Sequence, residues 1–223
     1  MRIVVSILSV LLLACASAVG SALVLPGTGF EDNGNPLAPG AVDPYWIMDH
    51  NPVDDSTNAY FIAPGTGNWW GEYAPNTNAP VFQGSGWIST NPLNGYNGPA
   101  PYSFSMSFSL AGFDLNTVSL SGLWSIADTG TLSINGFLID TLYEADKPWM
   151  AMHNFTVSDP AYFLQDINTI TMTMTASDQY FEAARFEGTI TGEVTGVPEP
   201  GTLLLMGTGI VGVCGALRRT LNK

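Results

Sequence analysis

The sequence predicts an all-β body, an antiparallel β-sandwich, held between two terminal export segments. Three observations carry that reading. Apolar and polar residues alternate with a period of two through most of the second half. The alternating segments are short and are separated by Gly, Asn, Pro and Asp, the residues that supply turn conformations. Between the two ends no stretch keeps a helical period, which leaves a sandwich of short strands as the way to bury the apolar faces.

The first half of the body, residues 27–101, holds most of the chain's 15 prolines and much of its Gly and Asn. It reads as long loops with short strands at 45–48, 60–62 and 87–89, in which Trp46 and Trp87 fill the core. Residues 103–110 then alternate without a break, with Phe104, Met106, Phe108 and Leu110 on one face and serines on the other. Val118, Leu120 and Trp124 continue the period. Thr131-Leu132-Ser133-Ile134 runs into Asn135-Gly136, the strongest short-range hairpin signal, and residues 137–140 return from it. Phe155-Thr156-Val157, the long alternation over 169–175 and a last strand over 185–194 complete the set.

The termini have a different grammar. Arg2 precedes an apolar stretch at 3–13, followed by the small-residue sites Ala16-Ser17-Ala18 and Gly20-Ser21-Ala22. This predicts a secretory signal peptide over 1–22, cleaved after Ala18 or Ala22. Leu12-Leu13-Ala14-Cys15 offers a rival parse, a lipoprotein box that would leave Cys15 lipidated. At the other end Val197-Pro198-Glu199-Pro200-Gly201 leads into an uncharged apolar run and then Arg218-Arg219. As a helix, 201–217 would span about 25 Å, the lower edge of a bilayer core. The basic residues behind it would stay cytoplasmic. The sandwich domain is thus expected over 23–196 and an anchoring tail over 197–223.

Composition narrows the function. Both cysteines, Cys15 and Cys214, lie in the terminal segments, so the body has neither a disulfide nor a thiolate for catalysis or metal binding. Formal net charge is −13, and between the termini only Lys147 and Arg185 are fixed cations. Phosphate binding needs clustered Lys and Arg, so nucleic acid is excluded as a partner. An acidic surface suits a protein that must stay soluble outside the cell and can attract divalent cations.

The ordered series VPEP, short hydrophobic helix and Arg-Arg resembles the PEP-CTERM sorting signal of exported bacterial proteins. Pro198, Glu199, Pro200, Arg218 and Arg219 carry the resemblance. It implies recognition by a membrane-embedded exosortase, transient anchoring in the inner membrane, cleavage near the Pro-Glu-Pro and release toward the cell surface. The same tail is associated with some ice-binding proteins. The body has a family look too. Val42-Asp43-Pro44-Tyr45-Trp46, Asn58-Ala59-Tyr60-Phe61-Ile62, Gly86-Trp87-Ile88, Gly112-Phe113-Asp114-Leu115, Leu120-Ser121-Gly122-Leu123-Trp124 and Ile134-Asn135-Gly136 follow the order of a domain recurrent in PEP-CTERM proteins. That domain resembles a galactose-binding-like jelly roll, which sharpens the expected fold to a jelly-roll-like sandwich. Ala183-Ala184-Arg185-Phe186 departs from the family's usual Gly-Leu-Arg-Val-like strand.

Sequence motifs do not assemble an active centre. Asp128-Thr129-Gly130 reproduces the aspartic-protease triplet, but without a second copy it reads as a turn. His50 and His153 lie neither in metal-ligand spacing nor near a nucleophile elbow. Many carboxylates could serve a glycoside hydrolase, yet nothing in the spacing selects a pair. The chain is therefore read as non-enzymatic. For ligands, Trp69, Trp70, Glu72 and Tyr73 form the densest aromatic stretch outside the core strands; sugar faces stack on such rings while carboxylates and amides take hydroxyls. Adjacent strand residues face opposite sides, so Trp69 and Trp70 cannot both enter one core. Asp43, Asp49, Asp54 and Asp55 lie close together in loops and could ligate calcium, although they do not fit an EF-hand pattern. Galactose-binding-like sandwiches often carry a structural calcium, so the resemblance points the same way. Thr169, Thr171, Thr173 and Thr175 form a ladder whose only further row in sequence is Thr189 and Thr191, too little for an ice-matching array. The leading expectation is an exported surface or matrix protein that binds exopolysaccharide. The alternatives are a structural or adhesion protein without a small-ligand site, an ice-binding protein and a carboxylate-dependent hydrolase.

Overall fold

The computed structural model describes residues 19–31, 33–62, 85–93, 96–179 and 181–195. Eleven strands form: β1 Val19–Val24, β2 Val42–Met48, β3 Asn58–Ile62, β4 Trp87–Ser89, β5 Tyr102–Ser109, β6 Ser119–Ile126, β7 Thr129–Ile134, β8 Phe137–Leu142, β9 His153–Val157, β10 Ile167–Ala176 and β11 Ala184–Val194. Hydrogen bonds join them in the order β8-β7-β10-β5-β2-β3-β4-β11-β6-β9, with β1 added beside β11, and every registered pair is antiparallel. The path curls on itself into a jelly-roll-like β-sandwich. Residues of β2, β5, β7 and β10 meet those of β6, β9 and β11 in one core. Trp46 of β2 lies 5.2 Å from Phe186 of β11, ring centre to ring centre, and Phe186 is 5.5 Å from Phe155 of β9. Residues 21–193 form one compact unit.

The expected alternation is what builds this core. Along β5 the side chains of Tyr102, Phe104, Met106 and Phe108 are buried while the serines between them are not. Along β10 Asn168, Ile170, Met172 and Met174 are buried in the same way. Asn135 and Gly136 both take positive φ, +51° and +83°, as the tight β7–β8 hairpin requires. Trp46 and Trp87 are both buried, as expected.

Two features differ from the expectation. β1 starts at Val19, inside the stretch assigned to the signal peptide, and pairs with β11; beyond its end Leu25 N–H donates to Gly188 O at 2.9 Å and Thr28 N–H to Phe186 O at 3.0 Å. The threonine ladder also has neighbours beyond Thr189 and Thr191. Register sets Thr169, Thr171 and Thr173 against Ser107, Ser105 and Ser103 on one side, and Thr171 and Thr173 against Ser133 and Thr131 on the other. Ser103 and Thr173 share a hydrogen bond of 3.0 Å, Ser107 and Thr169 one of 3.1 Å. Hydroxyl rows on three adjacent strands follow from serine alternation in β5, which is simply the polar face of a half-buried strand.

Among the described residues no helix is long and apolar enough to cross a membrane. Residues 1–18 of the expected signal peptide, among them Cys15, the segment 201–217 and the residues Pro198, Glu199, Pro200, Arg218 and Arg219 lie outside the described residues.

Candidate functional site

Strand register brings four strand ends together at one end of the sandwich. Ile62 pairs with Trp87, Ile88 with Ala184, and Ala184 with Ile126. The C-terminal ends of β3 and β6 and the N-terminal ends of β4 and β11 are therefore side by side. Residues 63–86 leave and rejoin the sheet here. Trp69, Trp70, Glu72 and Tyr73 belong to that connection and lie outside the described residues. Its two footings, Ile62 and Trp87, pack with Ala183, Trp149, Met152 and Phe181 in a small apolar cluster apart from the main core.

The four aspartates expected as cation ligands are placed individually. Asp43 is buried in β2, with Oδ2 accepting from Gly29 N–H at 2.6 Å and Oδ1 from the N–H groups of Tyr45 and Trp46 at 2.9 Å each. Burial raises its pKa and these three donors oppose the rise. Asp49 Oδ1 accepts from His50 N–H at 2.9 Å and Ser103 N–H at 2.8 Å. Asp54 accepts from Ser56 N–H at 3.1 Å and the Tyr60 hydroxyl at 2.9 Å; hydrogen bonding from Ser56 holds its carboxyl below the usual range. Asp55 Oδ1 lies 3.1 Å from His50 Nδ1 on the surface.

The structure instead brings three other carboxylates together. Asp128, Asp178 and Glu182 each present an oxygen such that all three lie within 4.8 Å of one another, a grouping unique among the described residues. Asp128 sits in the β6–β7 turn at φ +64°, a conformation that Asp tolerates better than most residues. Asp178 and Glu182 sit in the β10–β11 connection. Ala127 N–H donates to Ala183 O at 2.8 Å and Asp178 N–H to Asp128 Oδ2 at 2.9 Å, so one backbone bond and one backbone-to-carboxylate bond tie the two loops together. Gln179 N–H donates to Glu182 Oε1 at 3.1 Å, and Ser89 Oγ to the Glu182 carbonyl at 2.7 Å. Glu182 is 1% exposed, and its Oε2 has no hydrogen-bond partner. Burial pushes its carboxyl up to about 9, and the Asp128 carboxylate adds to the rise while the Ser177 hydroxyl and Gln179 N–H oppose it. The Tyr102 hydroxyl, 2% exposed and also without a partner, is raised by burial and then by the charges of Glu182 and Asp128. Such a set of oxygens is hard donor chemistry, with no nitrogen or sulfur ligand in it.

Sequence reasoning placed Asp128 correctly in a turn but found no second carboxylate for it. The partners stand 50 and 54 positions further on and arrive through the β6–β11 pairing. The signal that could have found them is the pairing itself, since Ile126 and Ala184 are the last registered pair before both loops.

Comparison with known proteins identifies the tail. Residues 196–219 match the PEP-CTERM protein-sorting motif. The chain thus carries a sorting motif of exported proteins behind a β-sandwich. No curated protein matches the chain. Among solved structures it is similar to a family 35 carbohydrate-binding module from an environmental isolate, at 18% identity over 54% of this chain and 87% of that one, with a TM-score of 0.32. It is also similar to the CBM36-1 domain of a multidomain xylanase from the hindgut metagenome of Trinervitermes trinervoides, at 18% identity over 55% and 86% and a TM-score of 0.29. A third is a carbohydrate-binding module CBM36 in complex with calcium and xylotriose, at 15% identity over 59% and 93% and a TM-score of 0.30. Likenesses of this size transfer no ligand to this chain.

Proposed function

We propose that the chain is an exported, non-catalytic surface module that is delivered through the inner membrane by exosortase and binds extracellular polysaccharide. The observation that carries the delivery is the sorting motif at 196–219. Binding is assigned to Trp69, Trp70, Glu72 and Tyr73. The reading is supported by their place in the chain: 63–86 is a long excursion between two strands paired at Ile62 and Trp87, and long connections on a rigid scaffold are where binding residues concentrate. Aromatic rings in such a connection, with Glu72 between them, suit the faces and hydroxyls of sugars.

The test is retention of the full chain on the exporting cell's own immobilised exopolysaccharide. Trp69→Ala with Trp70→Ala lowers retention at least about tenfold, as loss of two stacking platforms would, with the unfolding transition unchanged. Unchanged retention by the folded double variant would remove the site from that connection.

A second reading has an observation of its own. Among the described residues β8 pairs with β7 alone and carries exposed Phe137 and Leu138, at 47% and 57%. An apolar strand at the end of a sheet favours association between copies, as a structural or adhesion protein would use. Sedimentation without glycan distinguishes it: concentration-dependent assembly favours the matrix role, a monomer at every concentration the binding module.

A further inference from the structure

We propose that the end of the sandwich from which the chain runs into its sorting motif docks on a lipid surface, through the side chains of Phe137, Leu138, Leu164 and Ile167. Hydrogen bonds join this end into one surface. Glu193 O accepts from Asp114 N–H at 2.8 Å and Glu193 N–H donates to Thr117 Oγ1 at 2.8 Å, so β11 finishes against the β5–β6 connection. Gln165 Nε2 donates to Phe113 O at 3.1 Å and Leu110 N–H to Asp166 O at 2.9 Å, which ties that connection to the β9–β10 connection. Asn168 Oδ1 accepts from Leu164 N–H at 2.7 Å and from Asn135 Nδ2 at 2.8 Å, and the Phe137 and Tyr162 rings stand 5.1 Å apart, centre to centre. The β7–β8 hairpin thus belongs to the same end. Leu164 and Ile167 are 53% and 59% exposed, beside the exposed Phe137 and Leu138. Large apolar side chains gathered at one exposed place mark an interaction surface.

The chain itself selects the occupant. The described residues end at Thr195 and the sorting motif starts at 196. From Thr195 to the start of the apolar run at Gly201 is six residues, at most about 20 Å of extended chain. With 201–217 in a bilayer, covalent reach alone keeps this end of the sandwich within about 20 Å of lipid. So short a tether gives an effective concentration of about millimolar, which populates a contact too weak to form between free partners. β1 enters from the same end: Leu25 bonds to Gly188 and Thr28 to Phe186, partners that descend as the donors rise, so β1 runs antiparallel to β11.

Charge decides the kind of contact. Asp159, Asp166 and Glu193 are exposed at this end. The two fixed cations of the body lie at the other: Arg185 registers with Ser125, and Lys147 follows Glu144, whose N–H donates to Thr129 Oγ1 at the start of β7. Nothing basic here attracts anionic lipid, so the contact is apolar, with side chains entering the headgroup layer of zwitterionic lipid. β11 has 11 residues, about 35 Å at the usual rise. A sandwich standing on this end therefore carries Ile62 and Trp87, the footings of the 63–86 connection, outward. The docking rests on the membrane anchoring proposed above and not on polysaccharide binding.

The experiment places the full chain, one molecule per disc, in phosphatidylcholine nanodiscs and follows hydrogen exchange by mass spectrometry. Exchange over 135–139 and 160–167 is expected to be at least about threefold slower in the wild type than in the double variant Leu164→Ser, Ile167→Ser in the same discs. Both positions are exposed, so the two proteins share one Tm. Should the double variant lose its fold, Leu138→Ser decides the matter alone. Replacing about a third of the lipid by phosphatidylglycerol weakens the protection, because the end is acidic. Equal exchange in the wild type and a folded variant would overturn the proposal, and so would protection that grows with anionic lipid. Protection that needs two chains in a disc would overturn it in favour of a second copy as the occupant. A chain that does not enter the discs at all would overturn the anchoring, and the docking with it.

Discussion

At the scale of the residue, Asp43 shows how one carboxylate organises backbone. In the sequence it is one of several acids near the start of a strand, indistinguishable from Asp49, Asp54 or Asp55. In the fold its two oxygens receive the N–H groups of Gly29, Tyr45 and Trp46, joining the 26–30 segment to β2. The Trp46 indole then donates to Pro26 O at 3.2 Å across the same junction. Asparagine keeps the shape but turns an NH2 group toward at least one of the three donors. Asp43→Asn is therefore expected to destabilise the fold by about 1–3 kcal/mol, the cost of leaving a buried donor unpaired. A shift of the urea midpoint at constant slope measures it, and a shift indistinguishable from zero would mean that the three bonds contribute nothing net.

At the scale of the element, β1 turns the choice between the two expected cleavage sites into a prediction. The strand is Val19–Val24, and its continuation feeds Leu25 into the core and Thr28 onto Phe186. Cleavage after Ala18 leaves all six residues in place; cleavage after Ala22 removes four of them. N-terminal sequencing of the exported protein is expected to begin at Val19. A start at Leu23 would mean that β1 is dispensable, and a lipidated Cys15 that the lipoprotein box is the one used. β1 escaped the sequence reading because its residues carry both a leader's small-residue pattern and a strand's alternation. β5 and β10 were legible for the opposite reason: each has one buried and one solvated face, so period two is written in the residues themselves.

At the scale of the whole molecule, what could be read was whatever local pattern encodes, and what could not was whatever pairing brings together. The hairpin at Asn135-Gly136, the buried tryptophans and the sorting tail all announce themselves within a few residues. The cluster of Asp128, Asp178 and Glu182 does not, because its members come from two connections whose proximity depends on β6 lying beside β11. The three hydroxyl rows were missed likewise, since the serines of β5 and the threonines of β10 become one surface only once the register is known. The cluster and the footings of the 63–86 connection share one end of the sheet, where a stiff base suits a binding loop. The central claim is that this end of an exported module holds polysaccharide. It is tested most directly by calorimetric titration of the full chain with the exporting cell's own exopolysaccharide, in calcium and in chelator. Saturable heat in calcium is the predicted result, and flat traces in both conditions would contradict the claim and leave a structural matrix protein.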